Sequence, residues 1–194
     1  MSSRLRPPLK SDCKPKKTGK FQSYAEIVQH YIDNKRPQVN TDRLVFKKRK
    51  LEDAIHYAAM AKRTDGKRHD HFHRFKAEVL EEAEQRLQAC AKQLNACDSF
   101  EKLHDLIHDE IRPIEGIGVL AVYDIACAIG ANLGLDPKVV YLHAGTRKGA
   151  NLLGLGKRQQ TLEPEKLPVE FNRLKPREIE DCLCSYAKDL REIG

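Results

Sequence analysis

Residues Ile117 to Ala131 form the longest apolar stretch of this 194-residue chain, interrupted only by Asp124. A helix that is apolar on every side has no face fit for water, so it belongs at the centre of a bundle. Ala126, Ala128, Gly130 and Ala131 are small enough to let neighbouring helices approach closely. The stretch falls short of the ~20 apolar residues that a bilayer span takes. Its single carboxylate raises a question of its own. A buried acid must be paired or protonated. Asp124 therefore either meets loop amides, His143 or Arg147 as a structural partner, or acts as a general base with His143 completing an acid–base pair.

Ile114-Glu115-Gly116-Ile117-Gly118 stands directly before this helix, with another helical pattern ahead of it. Glycines at alternate positions permit a sharp turn with positive φ and leave amide N–H groups facing outward. At the start of a helix such amides can hold a phosphate oxygen. Helix, turn and helix in this order spell a helix-hairpin-helix, and Gly116, Ile117 and Gly118 are its candidate phosphate contacts. Val119 and Leu120 follow where a DNA-binding hairpin usually carries Lys, Arg or Thr, so a plain structural turn is the competing reading.

Elsewhere the periodicity is helical as well. Ser23 with Glu26 forms a capping box for a first helix that Pro37 closes. A second helix runs from about Thr41 to Lys62, and a long third from His71 to Leu94. Asp98 caps a fourth, which ends at Pro113. After the apolar helix, Gly134 is a stop and Asp136-Pro137 opens a short helix through Leu142. Thr146 reads as another cap and Gly154 as another stop. Lys175-Pro176 opens the last helix. No strand is expected, and the fold class is all-α, a multi-helix orthogonal bundle. The expected organisation is a disordered basic arm over 1–20 and one helical domain over 21–194. That domain divides into a lobe at 21–110, the hairpin and phosphate-turn region at 111–155, and C-terminal helices at 156–194.

Charge bears on the partner. The chain has a formal net charge of +7, of which residues 1–20 supply +6, from seven cations against Asp12 alone. A polyanion is the implied partner, reached chiefly through the arm. A second phosphate candidate lies at His143-Ala144-Gly145-Thr146-Arg147-Lys148. Gly145, Thr146, Arg147 and Lys148 there combine a helix start, a hydroxyl and two cations. The other reading is an exposed turn with basic decoration.

Six scattered cysteines have no framework spacing, and no apolar run begins the chain, so the expectation is a cytoplasmic protein with free thiols. His69, His71 and His73 would share a side only on an extended segment, and His104 with His108 lacks an identifiable third ligand. No metal and no cofactor is expected.

Residues 98–155 resemble the helix-hairpin-helix module of base-excision DNA glycosylases. The resemblance implies that Gly116-Ile117-Gly118 grips phosphate and that a later loop delivers a catalytic Asp two positions before a His. Here His143 matches that His, Tyr141 occupies the Asp position, and Leu120 stands where bifunctional members carry their lyase Lys. Both catalytic groups are absent, so the resemblance implies an architecture rather than an activity. Val140-Tyr141-Leu142-His143-Ala144-Gly145-Thr146-Arg147 also resembles the signature of an uncharacterised bacterial family. The leading expectation is a protein that binds nucleic acid, double-stranded DNA foremost, without sequence preference. The alternatives are a nucleic-acid-processing enzyme using Asp124 and His143, and a non-enzymatic subunit of a larger bacterial assembly.

Overall fold

The computed structural model describes residues 20–62 and 72–193. Ten α-helices and one two-stranded ribbon occupy those residues, together with short 3-10 turns, and the all-α expectation holds. Nearly all of the arm at 1–20, along with His69 and His71, lies outside the described residues. No helix among the described residues is long and apolar enough to cross a membrane.

Helix α1 (Tyr24–Asn34) starts as the sequence dictates: Ser23 Oγ accepts from the Glu26 amide at 3.3 Å, and Glu26 accepts from the Gln22 amide at 2.8 Å. Pro37, expected to close it, instead sits in the first turn of α2 (Arg36–Lys47), where its missing N–H is harmless. The expected single helix to Lys62 is two, α2 and α3 (Leu51–Ala59). The break falls in the Lys47–Lys50 cation run. There the amide of Asn132 donates to the Phe46 and Arg49 carbonyls at 2.8 and 2.9 Å, doing the work a continued helix would do.

The expected third helix is likewise divided. Phe72 to Phe75 make a tight turn, then come α4 (Ala77–Ala89) and α5 (Ala91–Asn95), parted at Cys90 with φ −101° and ψ 15°. Ser99, not Asp98, caps α6 (Phe100–Ile111). Asp98 instead pairs with Lys102 at 2.9 Å. Helix α7 (Val119–Leu133) is the central apolar helix and ends at Gly134 in the left-handed conformation, φ +76°.

From Asp136 onward the expected short helix is absent. Asp136 does not cap; its carboxylate pairs with Arg43 and lies 3.6 Å from Arg177. The β-branched pair Val139-Val140 extends instead, and β1 (Val140–Tyr141) pairs antiparallel with β2 (Thr161–Leu162). Helix α8 (Ala144–Leu152) follows at once, then α9 (Pro176–Ser185) and α10 (Ala187–Ile193), separated at Tyr186.

Two hydrophobic cores result, and they cut across the division at 110 and 155. One gathers the buried faces of α3 to α7; the other joins α1 to the ribbon, α8, α9 and α10. The N-terminal helix thus closes the C-terminal core, burying Ile27, Val28 and Tyr31 completely, each about 1.5–3 kcal/mol of transfer free energy. Helix α2 buries no residue of its own, yet packs on α7 and spans both cores. Arg36 in its first turn ties it to α9. The guanidinium binds the Glu178 carboxylate through two bonds, 3.1 and 2.9 Å, and the same carboxylate accepts the Lys175 amide.

Candidate functional site

Two helix starts and one cavity hold the residues singled out by sequence. The first start is the turn between α6 and α7. Gly116 takes φ +92°, Ile117 tucks its side chain into the core, and the Ile117 amide closes the turn on the Ile114 carbonyl at 3.1 Å. Gly118 is the N-cap of α7, and no side chain caps that first turn. A Cβ added at Gly116 or Gly118 would meet nothing within 4 Å. The first-turn amides of α7 are therefore unmatched within the helix and open on the outside, next to a Val119 that is 54% exposed.

The second start, that of α8, is built the opposite way. His143 is its N-cap, and Thr146 lies inside the first turn rather than capping it. Thr146 is completely buried and donates to Glu180 on α9 at 2.5 Å. Arg147 donates to the Leu142 carbonyl at 2.8 Å, to Gly156 at 3.3 Å and to Gln159, so its guanidinium fastens the chain on either side of β2. Gly145 lies where a Cβ would touch the Cys184 sulfur at 2.4 Å, and Gly149 where one would touch the Leu183 carbonyl at 2.2 Å. These glycines allow α8 and α9 to approach; they do not free a loop. Only Lys148 of the four expected phosphate contacts at this turn is fully exposed.

Asp124 and His143 fall into separate clusters. His143 is 7% exposed and lies among aromatic rings: Tyr123 at 4.6 Å and Tyr141 at 6.4 Å between centroids, with His104 on the other side of Tyr141 at 4.7 Å. Its Nε2 is buried without a hydrogen-bond partner in the structure. Burial, with the positive charges of His104 and Arg147, lowers its pKa to about 4, so the ring is neutral at neutral pH. Tyr141 is part of the same cluster, its hydroxyl pushed up to about 12, chiefly by burial.

Asp124 instead faces a cavity of about 430 Å³ between α7 and α9, roofed by α2 and α3. Helical spacing puts Leu120, Asp124, Cys127, Ala128 and Ala131 of α7 on its wall. Across it stand Arg177, Glu180, Asp181 and Cys184 of α9, again at helical spacing. Burial first, then the negative charges of Glu180 and Asp181, raise Asp124 to about 8. Burial and Asp181 raise Glu180 to about 7, against the Thr146 hydroxyl, which favours its ionised form. Two carboxyls in this cavity thus titrate near neutrality. Among the described residues no group of three His, Cys, Asp or Glu side chains is placed to hold a metal ion.

Comparison with family models, with characterised proteins and with solved structures finds no match to this chain. Its function must be read from its own geometry.

Sequence reasoning missed Glu180, Asp181, Arg43 and Arg177. In sequence, Arg177, Glu180 and Asp181 look like the water-facing stripe of an amphipathic helix opposite Ile179, Cys182 and Leu183. The one available signal was Asp124, an acid on an apolar helix that needed company.

Proposed function

We propose that this protein binds the backbone of nucleic acid, double-stranded DNA foremost, through a helix-hairpin-helix formed by α6, residues 112–118 and α7. The observation that carries this reading is the open start of α7: two glycines facing empty space, no capping side chain, and no acidic residue in the first turn. Free amides and the positive end of a long helix together favour a phosphate oxygen. Backbone contact of this kind carries no sequence information, so the binding is nonspecific. Residues 1–20 add the cations that the rest of the chain lacks, since the remainder has a net charge of only +1.

The α8 turn has no part in this proposal, because Thr146 and Arg147 are already engaged with protein partners. Nor does an Asp124–His143 acid–base pair, whose members lie in different clusters.

The test is a duplex-binding titration at several salt concentrations with Val119→Glu. An exposed acid in the first turn complements the helix dipole, so folding is preserved while a phosphate is repelled. Affinity should fall about fivefold, the scale of one charge–dipole contact of ~1 kcal/mol. A chain lacking residues 1–20 should show a much shallower salt slope. Unchanged affinity in a folded Val119→Glu protein would defeat the hairpin assignment, and an unchanged slope would defeat the role of the arm.

A further inference from the structure

We infer that the cavity between α7 and α9 is a binding site for a small organic cation, an apolar planar body bearing an amine or amidine head. This site is independent of the hairpin. Its size, about 430 Å³, is that of small-molecule pockets, and its position between two cores is where such pockets form. One part of the wall is apolar: Leu120, Ala128 and Ala131 of α7 face Ala58, Ala61 and Phe72.

The polar part is unevenly charged. Asp124, Glu180 and Asp181 come together there, with Asp42 of α2 on the same wall. The cations on the wall are each engaged elsewhere. Arg43 pairs with Asp136; Arg177 lies 3.6 Å from Asp136 and from Glu178 and donates to Asn40. Lys62 sits 3.1 Å from His56 Nε2. Tyr57, Tyr123, Cys127 and Cys184 complete the titratable lining, and burial pushes the Tyr123 hydroxyl and both thiols upward, so they stay neutral. The Tyr123 hydroxyl is buried without a hydrogen-bond partner of normal geometry. The cavity therefore offers acceptors and negative potential in apolar surroundings. An anion would be repelled, and a neutral ring would leave the acids unanswered. A cation pairs with them and makes them ionise. Because Asp124 and Glu180 hold protons near neutral pH in the empty cavity, binding a cation must release protons.

Three molecules of one shape and different charge test this: benzamidine, benzamide and benzoate, added to the full-length protein in a calorimeter at pH 7 in two buffers of unequal ionisation heat. Benzamidine should bind about tenfold more tightly than benzamide, the scale of one charge-assisted hydrogen bond. Benzoate should bind weakest, and the benzamidine heat should depend on the buffer. Asp124→Asn and Glu180→Gln should each weaken benzamidine about tenfold and reduce the proton release. Ala128→Leu, which fills the apolar wall and keeps the acids, should weaken benzamidine and benzamide alike. Failure of benzamidine to bind, equal affinity for benzamide, or benzamidine affinity unchanged in whichever of these variants fold would overturn the inference.

Discussion

The starts of α7 and α8 look alike in sequence and are opposites in structure. Each has glycine, a turn and a following apolar helix, and α8 has the better claim to phosphate by composition, with Thr146, Arg147 and Lys148 against Val119 and Leu120. Yet the α8 start is closed: its hydroxyl is bonded to Glu180, its guanidinium to three carbonyls, and its glycines to the surface of α9. The α7 start has none of these attachments. Donors count toward a ligand only when the fold has not already engaged them. That is a property of tertiary packing, which a local motif cannot carry.

Gly149→Ala would sharpen this contrast most. The new Cβ would stand 2.2 Å from the Leu183 carbonyl oxygen and 2.9 Å from its carbon, backbone atoms that cannot rotate aside. Helices α8 and α9 must separate, at a cost of about 3 kcal/mol. Gly145→Ala should cost less, about 1 kcal/mol, because its obstacle is the sulfur of an exposed Cys184 that can change rotamer. Equal melting temperatures for the two variants would show that the seam is looser than its geometry implies.

Arg147→Ala addresses the closed start directly. Removing the guanidinium leaves the Leu142, Gly156 and Gln159 carbonyls without their donor and should destabilise by about 2 kcal/mol. Nucleic-acid affinity of the folded protein should not change. A stable variant with weakened binding would reverse the comparison, making α8 the phosphate site.

Much of the contrast is hidden from the sequence for physical reasons. Periodicity located the buried stripes of α1, α6 and α7, and Ser23 and Gly134 marked true ends, because those signals are local. Helix breaks at Lys48–Lys50 and Cys90 depend on partners far along the chain, such as the Asn132 amide for the first. Asp136 reads as a cap but serves Arg43 and Arg177, on elements that only the fold brings near. Of the cavity, Asp124 alone was visible; its partners on α9 were indistinguishable from a solvated face.

Thr146→Val probes how the closed start is coupled to the cavity, through pH. Glu180 titrates near 7 in the folded protein against an ordinary 4.5, so the native state holds a proton that the unfolded chain has released. Its contribution to stability is thus fully present below about pH 4.5 and declines as pH rises toward 7. The Thr146 hydroxyl favours the ionised form and limits that decline. Without it, the carboxyl titrates higher still and stability keeps falling beyond pH 7. The difference between wild type and Thr146→Val should be smallest near pH 4.5 and grow to about 1.5 kcal/mol above pH 7. Denaturant titrations across that range measure it, and a difference independent of pH would mean that the bond does not act on Glu180 ionisation.

Gly118→Ala makes at the open start the same chemical change as Gly149→Ala at the closed one, and should have the smallest effect on folding. Gly118 has φ −98°, which alanine adopts without strain, whereas Gly116 at φ +92° does not offer that freedom. No atom lies within 4 Å of the added Cβ. Alanine is a slightly poorer N-cap than glycine, but it lowers the entropy of the unfolded chain, and these terms nearly offset. The net change should stay within about 0.5 kcal/mol. Binding is a different matter. If a phosphate approaches the α7 amides, the methyl group stands in the space that it needs, and duplex affinity should fall although the fold is untouched. A Gly118→Ala protein that melts like wild type and binds as tightly would mean that the open start of α7 is merely unoccupied surface, and the comparison would lose its functional content.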